Sequence, residues 1–228
     1  MKRGDVLAGK DKPPMLAIAY SRVLKNDSHR TASRRHGLDL DEVEVQSLCH
    51  QSVSEPVRPE PDVKDWTWTL RDRCPECGFA AGDTRPADVP AIVEDVVARF
   101  SDRLGADDAR LRPAPATWSP TEYACHIRDV CMIFNGRLLA MLADDDPQFA
   151  NWNQDDTAIE RRYWAQDPAE VRVELADAAD QITETIRSVR PGQLDRPGRR
   201  SDGSVFTVET LVQYFAHDLV HHAYDIGA

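Results

Sequence analysis

The chain has 228 residues, 41% of them hydrophobic and 29% charged, with a formal net charge of −11. This length supports one sizeable domain plus an extra segment, or two small domains. The acidic balance argues against nucleic acid or an anionic membrane surface as main partner, and no apolar run approaches a membrane span.

Charge is unevenly spread. Met1 to His36 carries nine Lys/Arg against three acids, and only Met15 to Leu24 is modestly apolar. Ser52 to Asp62 reads SVSEPVRPEPD, a Pro/Glu run that suits neither a helix nor a central strand. Residues 1–61 are therefore expected to be a poorly structured N-terminal extension, disordered or loosely attached.

Residues 62–85 form a short flank. Trp66 and Trp68 alternate with Thr, which suits a short extended segment. Cys74-Pro-Glu-Cys77-Gly78 has the shape of a zinc knuckle, in which a tight turn aims two thiolates at one ion. A structural zinc site needs four ligands, and the chain has no second CxxC; Cys49 and His50 are the upstream candidates. Cys74 and Cys77 are thus either half of a second metal site or, as the preferred reading, a reduced, redox-sensitive pair. Five cysteines without disulfide-framework spacing point to a reducing cytoplasm.

Residues 86–228 contain four amphipathic helices. The first is expected over Val89–Leu104, with Ile92, Val93, Val96, Val97, Phe100 and Leu104 at helical spacing. The second opens at Ser119-Pro120-Thr121-Glu122, a capping box with Pro at the first helical position, and ends at the Asp144-Asp145-Asp146-Pro147 run. A loop of about twenty residues with Trp152 and Trp164 follows, a length that tends to be functional. Asp167-Pro168-Ala169-Glu170 opens the third helix, which runs to about Val189. After a turn-rich connector, Arg196 to Val205, the fourth begins near Thr207. The expected fold is all-α, a four-helix bundle with long crossover connections.

In the last helix Val208, Leu211, Val212, Phe215, Leu219 and Ile226 share one arc at about 100° per residue. His217 and His221 fall opposite, beside Gln213, Tyr214, Val220 and Tyr224, and no Lys or Arg follows Arg200. Such a helix is better explained as buried on both sides, its polar side lining an internal site. Histidines at i and i+4 can bind one metal; the third ligand would come from His126 on the second helix. His222, about 140° from His217, is read as a packing residue.

Trp118-Ser-Pro-Thr-Glu-Tyr-Ala-Cys-His126-Ile-Arg-Asp129 and His217-Asp-Leu-Val-His221-His-Ala-Tyr-Asp225-Ile226 together resemble the DinB/YfiT-like metalloprotein superfamily, over roughly residues 89–226. The CPECGF segment resembles the N-terminal flank of actinobacterial members. The resemblance implies a bundle with a divalent metal, often zinc or nickel, on His126, His217 and His221. It also implies thiol-dependent transferase or isomerase chemistry with mycothiol, bacillithiol or glutathione.

The leading expectation is a metal-dependent S-transferase that joins a mycothiol-type thiol to a small electrophile. Asp129 and Asp225 would orient an imidazole or accept a proton, and Tyr123, Trp152, Tyr214 and Tyr224 would wall the pocket. Arg128, Arg161 and Arg162 are candidates to hold a substrate carboxylate. Two other readings stay open: metal-assisted hydrolysis, with Asp218 in the place of a protease Glu, and a non-catalytic metal-binding or interaction bundle. A homodimer through the outer bundle face is the expected assembly.

Overall fold

The computed structural model describes residues 55–59, 61 and 64–228. Most of the extension expected over residues 1–61, with Cys49 and His50, lies outside the described residues. The described residues form one compact unit.

Among the described residues five α-helices follow one another: α1 Val89–Leu104, α2 Pro120–Ala143, α3 Gln154–Glu160, α4 Pro168–Ser188 and α5 Val208–Asp225. The four long ones make the bundle, α1 and α2 each packing against both α4 and α5. Apolar spacing dictates this. The stripe Val89, Val93, Val96, Phe100 and Leu104 of α1 is buried, as is Val171, Leu175, Ala178, Ile182 and Ile186 of α4. Burying one such side chain is worth about 1.5–3 kcal/mol.

The helix starts are set by local chemistry. Ser119 Oγ accepts from the Glu122 backbone N–H (3.3 Å) and Glu122 Oε2 accepts from the Ser119 N–H (2.9 Å), a complete capping box. Asp167 caps α4 by accepting from Ala169 N–H (2.8 Å), and Thr207 caps α5 by accepting from Thr210 N–H (3.1 Å). At the far end of α2, Arg196 donates to the carbonyls of Met141 (2.6 Å) and Asp144 (2.7 Å), two groups a helix end leaves free.

Three segments differ from expectation, the first being the long loop after α2, which contains α3 and a 3₁₀ turn at Tyr163–Ala165. Trp66–Leu70 is a 3₁₀ helix rather than an extended segment. The Asp65 carboxylate accepts from Thr67 N–H (2.9 Å) and the Thr69 hydroxyl donates to the Trp66 carbonyl (2.8 Å), so local side-chain bonds override the alternating pattern. The connector after α4 carries two strands of a small sheet: β2 Pro197–Arg200 pairs antiparallel with β3 Val205–Thr207 and parallel with β1 Gln148–Phe149, which comes from the α2–α3 connection. Strands this short give no readable alternation. Gly198 is required there, because a Cβ would meet Met141 Cγ at 2.7 Å and Phe149 Cε1 at 2.9 Å. The sheet holds Arg200 and Phe206 beside Tyr214 of α5.

Candidate functional site

Helix α5 is buried on its polar side as well as its apolar one: His217 is 2% exposed, and His221 and Gln213 are each 7%. One residue along a helix is a rotation of about 100°. His217 and His221 therefore share one face, and Asp218 and His222 the next. The two faces meet different neighbours.

The second face turns toward α2. His126, Asp218 and His222 bring three ligand-type atoms within 4.8 Å of one another. The His126 ring packs edge-on to His222 (centroids 4.7 Å) and stacks on Trp152 (5.2 Å, 6° between planes). Both its ring nitrogens are buried with no hydrogen-bond partner among the described residues. Burial, and then the nearby His222, depress it to about 3. An imidazole so placed is neutral and incompletely satisfied, the condition of a metal ligand without its ion.

His222 has the opposite character. Burial disfavours its charge, but Asp218 and Asp225 outweigh that and push it up to about 9. Its Nδ1 lies 2.9 Å from Asp225 Oδ2 and its Nε2 3.3 Å from Asp218 Oδ1. The Asp225 bond fixes the ring and leaves Nε2 facing Asp218 and His126. A carboxylate behind a histidine is the usual support of a ligating imidazole. The Asp218 carboxyl is opposed by burial, yet its bond to His222 and the surrounding histidines hold it below the ordinary value. Two imidazoles and one carboxylate fit a divalent ion such as zinc or nickel and leave coordination positions open.

The first face turns toward the Cys74–Gly78 turn. Cys74, Cys77, His217 and His221 bring four ligand-type atoms within 4.8 Å of one another. His126, His217 and His221, expected as one triad, are thus divided between two clusters. The helical rotation explains it: the face that points at α2 carries Asp218 and His222. His222, read from the sequence as a packing residue, lies in the second cluster and in the cavity lining.

A cavity of about 960 Å³ opens over both clusters, with Asp218, His222, Tyr123, Trp152, Arg137 and Tyr214 in its wall. A sequence profile described as the DinB superfamily matches residues 92–226. The chain belongs to the DinB superfamily. In structure it is similar to YfiT from Bacillus subtilis, reported as a probable metal-dependent hydrolase with an unusual four-helix bundle topology. The TM-score is 0.56 at 18% identity, covering 62% of this chain and 83% of that one. It is also similar to a mycothiol-dependent maleylpyruvate isomerase, with TM-score 0.51 at 11% identity, covering 65% of this chain and 63% of the isomerase. At these identities the likeness is one of fold. Comparison with curated proteins finds no match.

In this DinB bundle the remaining expected residues fall into two groups. Tyr123, Trp152 and Tyr214 line the cavity. Burial, and then Asp225, push the Tyr123 phenol up to about 12, so it stays a hydrogen-bond donor. The Trp152 indole donates to Thr157 Oγ1 (2.7 Å), which fixes its plane over His126. Tyr224 is 55% exposed and is not a cavity residue. Asp129 is also elsewhere: it accepts from Arg128 Nε (3.0 Å), Arg161 Nη1 (2.9 Å) and the Tyr163 hydroxyl, a buried anchor between α2 and the α3–α4 connection. Arg161 is held by it, Arg128 is shared with Gln166 (2.8 Å) and Glu174 (2.5 Å), and Arg162 lies over Trp164.

Arg137 is the cation that sequence reasoning missed. It is 7% exposed, lies over the Phe134 and Phe149 rings (5.2 Å each) and donates to the Ala150 carbonyl (3.0 Å). No carboxylate pairs with it among the described residues. Burial, and then Arg200, lower it to about 10. Its position on α2, three turns beyond His126, was the available signal.

Proposed function

We propose that this DinB-superfamily chain is a divalent-metal-dependent enzyme that joins a mycothiol-type thiol to a small anionic electrophile. His126, Asp218 and His222 are the metal ligands. The observation that carries the reading is His126, buried with both nitrogens unpartnered against a carboxylate-braced His222 at the cavity. Three ligands rather than four is the pattern of a catalytic site.

When bound, a divalent ion there supplies Lewis acidity, which favours the thiolate form of an incoming thiol. The chain's own residues do the rest. Asp225 holds His222 at Nδ1, so the proton that His222 gives up on ligating an ion is the one on Nε2. Trp152 and Trp118 pack on His126 and keep water from it. Arg137, with no carboxylate paired to it among the described residues, attracts an anionic group on the electrophile, whereas Arg200 beside it is held by Asp202 (2.7 Å); Tyr123 donates a hydrogen bond. Sulfur forms a bond to carbon while the leaving group departs with its electron pair, so no redox partner is required. Among the described residues the cavity wall has no cysteine, which supports a thiol brought by a co-substrate.

Metal-assisted hydrolysis is the second reading. The donor set favours it, since two histidines and a carboxylate also serve metallopeptidases, and YfiT carries a hydrolase description.

The test is metal analysis of the purified wild type, His126→Ala and His222→Ala, followed by turnover with a panel of thiols and chlorodinitrobenzene-type electrophiles. The expected result is one metal equivalent and thiol-dependent turnover lost together in both variants. Unchanged metal content in both would overturn the ligand assignment. Ester or amide cleavage without thiol would favour the hydrolase, and bound metal without any turnover the non-catalytic bundle.

A further inference from the structure

We infer that Cys74, Cys77, His217 and His221 hold a structural zinc ion, distinct from the metal at His126, which staples the flank around residues 64–85 onto α5. This does not rest on the function proposed for the other cluster.

The turn is built for thiolates. Gly78 has φ +73°, a conformation natural to glycine, and its N–H donates to the Cys74 carbonyl (2.9 Å) while the Cys74 N–H donates to the Phe79 carbonyl (2.9 Å). Cys74 is fully buried and its Sγ lies 3.6 Å from His221 Nδ1. Zn–S bonds of about 2.3 Å and Zn–N bonds of about 2.0–2.1 Å put sulfur and nitrogen about 3.6 Å apart in a tetrahedral site.

The histidines are oriented to match. His221 Nε2 lies 3.3 Å from Glu76 Oε2, which leaves Nδ1 to face the sulfur, and Glu76 comes from inside the same Cys-Pro-Glu-Cys turn. His217 Nε2 is buried without a hydrogen-bond partner among the described residues. Trp66 covers both rings, at 5.7 and 5.0 Å between centroids. Two thiolates and one Zn²⁺ sum to no net charge, so a dry site is tolerated. Four protein ligands close the coordination sphere, the mark of a structural rather than a catalytic ion. A disulfide between Cys74 and Cys77 would satisfy neither histidine.

The staple has a consequence for the cavity. Asp65, Trp66 and Glu76 stand in its wall, and the flank is otherwise tied to α5 by Gln213 Nε2 donating to the Gly82 (3.2 Å) and Thr84 (3.0 Å) carbonyls. Zinc would make that wall rigid.

The test uses the full chain. Zinc per chain is measured in wild type, in Cys74→Ser/Cys77→Ser and in His126→Ala/His222→Ala. The cysteine variant should lose one zinc that the histidine variant retains. Wild-type protein exchanged with Co²⁺ should show sulfur-to-cobalt charge transfer and tetrahedral d–d bands, a readout that needs no variant to fold. Organomercurial titration of the wild type should release zinc as two thiols react. Absence of the charge-transfer band would overturn the inference, as would equal zinc in wild type and the cysteine variant. A zinc-free protein whose mass shows a Cys74–Cys77 disulfide would overturn it too.

Discussion

The two clusters on α5 are one residue out of step with each other and differ in chemistry. His217 and His221 meet two thiols from a Gly-containing turn, and the turn supplies its own carboxylate, Glu76, behind His221. Asp218 and His222 meet a single histidine from α2, with Asp225 of the same helix behind His222. The first group has four donors and a tryptophan over it; the second has three, and both border the cavity. A rotation of about 100° thus separates a closed, sulfur-rich site from an open one of nitrogen and oxygen. Donor number and softness, rather than the presence of histidine, decide which metal role each face can support.

The largest effect that would break this contrast is on turnover. Removing His126 or His222 should lower thiol-dependent turnover by about 10³-fold or more, since Lewis-acid stabilisation is worth several kcal/mol, while the zinc assigned to the cysteines stays. Steady-state assays with parallel metal analysis check it. Loss of both metals from the His126→Ala protein would merge the two sites.

Next comes stability. Cys74→Ser/Cys77→Ser should melt lower than wild type. If free zinc is about 1,000-fold above its Kd, the lost stabilisation is about 4 kcal/mol, readable by denaturant titration with and without chelator. The His126→Ala protein should respond to the same chelator much less in its unfolding midpoint.

Asp129→Ala separates the anchor from the chemistry. It strips a buried carboxylate from Arg128 and should cost about 3–5 kcal/mol of stability, while metal bound per folded chain is unchanged. Reduced metal content in folded Asp129→Ala protein would return Asp129 to the site.

Two smaller changes sharpen the open cluster. Asp225→Asn removes the support of His222 and should weaken metal affinity or activity by about 10–100-fold, with the cysteine-bound zinc unaffected. Arg137→Met should raise KM for anionic electrophiles by about tenfold, near 1.4 kcal/mol, with little change in kcat. Equal KM values for anionic and neutral electrophiles in wild type would remove Arg137 from substrate binding.

Much of the fold was legible in the sequence. Ser119, Asp167 and Thr207 mark helix starts because capping is a matter of three or four consecutive residues, and the stripes on α1 and α4 follow from helical period alone. The sequence also carried the family pattern, the candidate ligand types and the dry polar side of α5. What it left open was the pairing between distant elements. Cys74 and His221 are 147 residues apart, and no local rule says which face of α5 meets the Cys-Pro-Glu-Cys turn and which meets α2. That depends on how far each helix is rotated in the bundle, and rotation is settled by packing of the whole core. Tertiary structure therefore moved His222 from packing to a candidate ligand and Asp129 to an anchor, and gave the lone CxxC its second pair of donors.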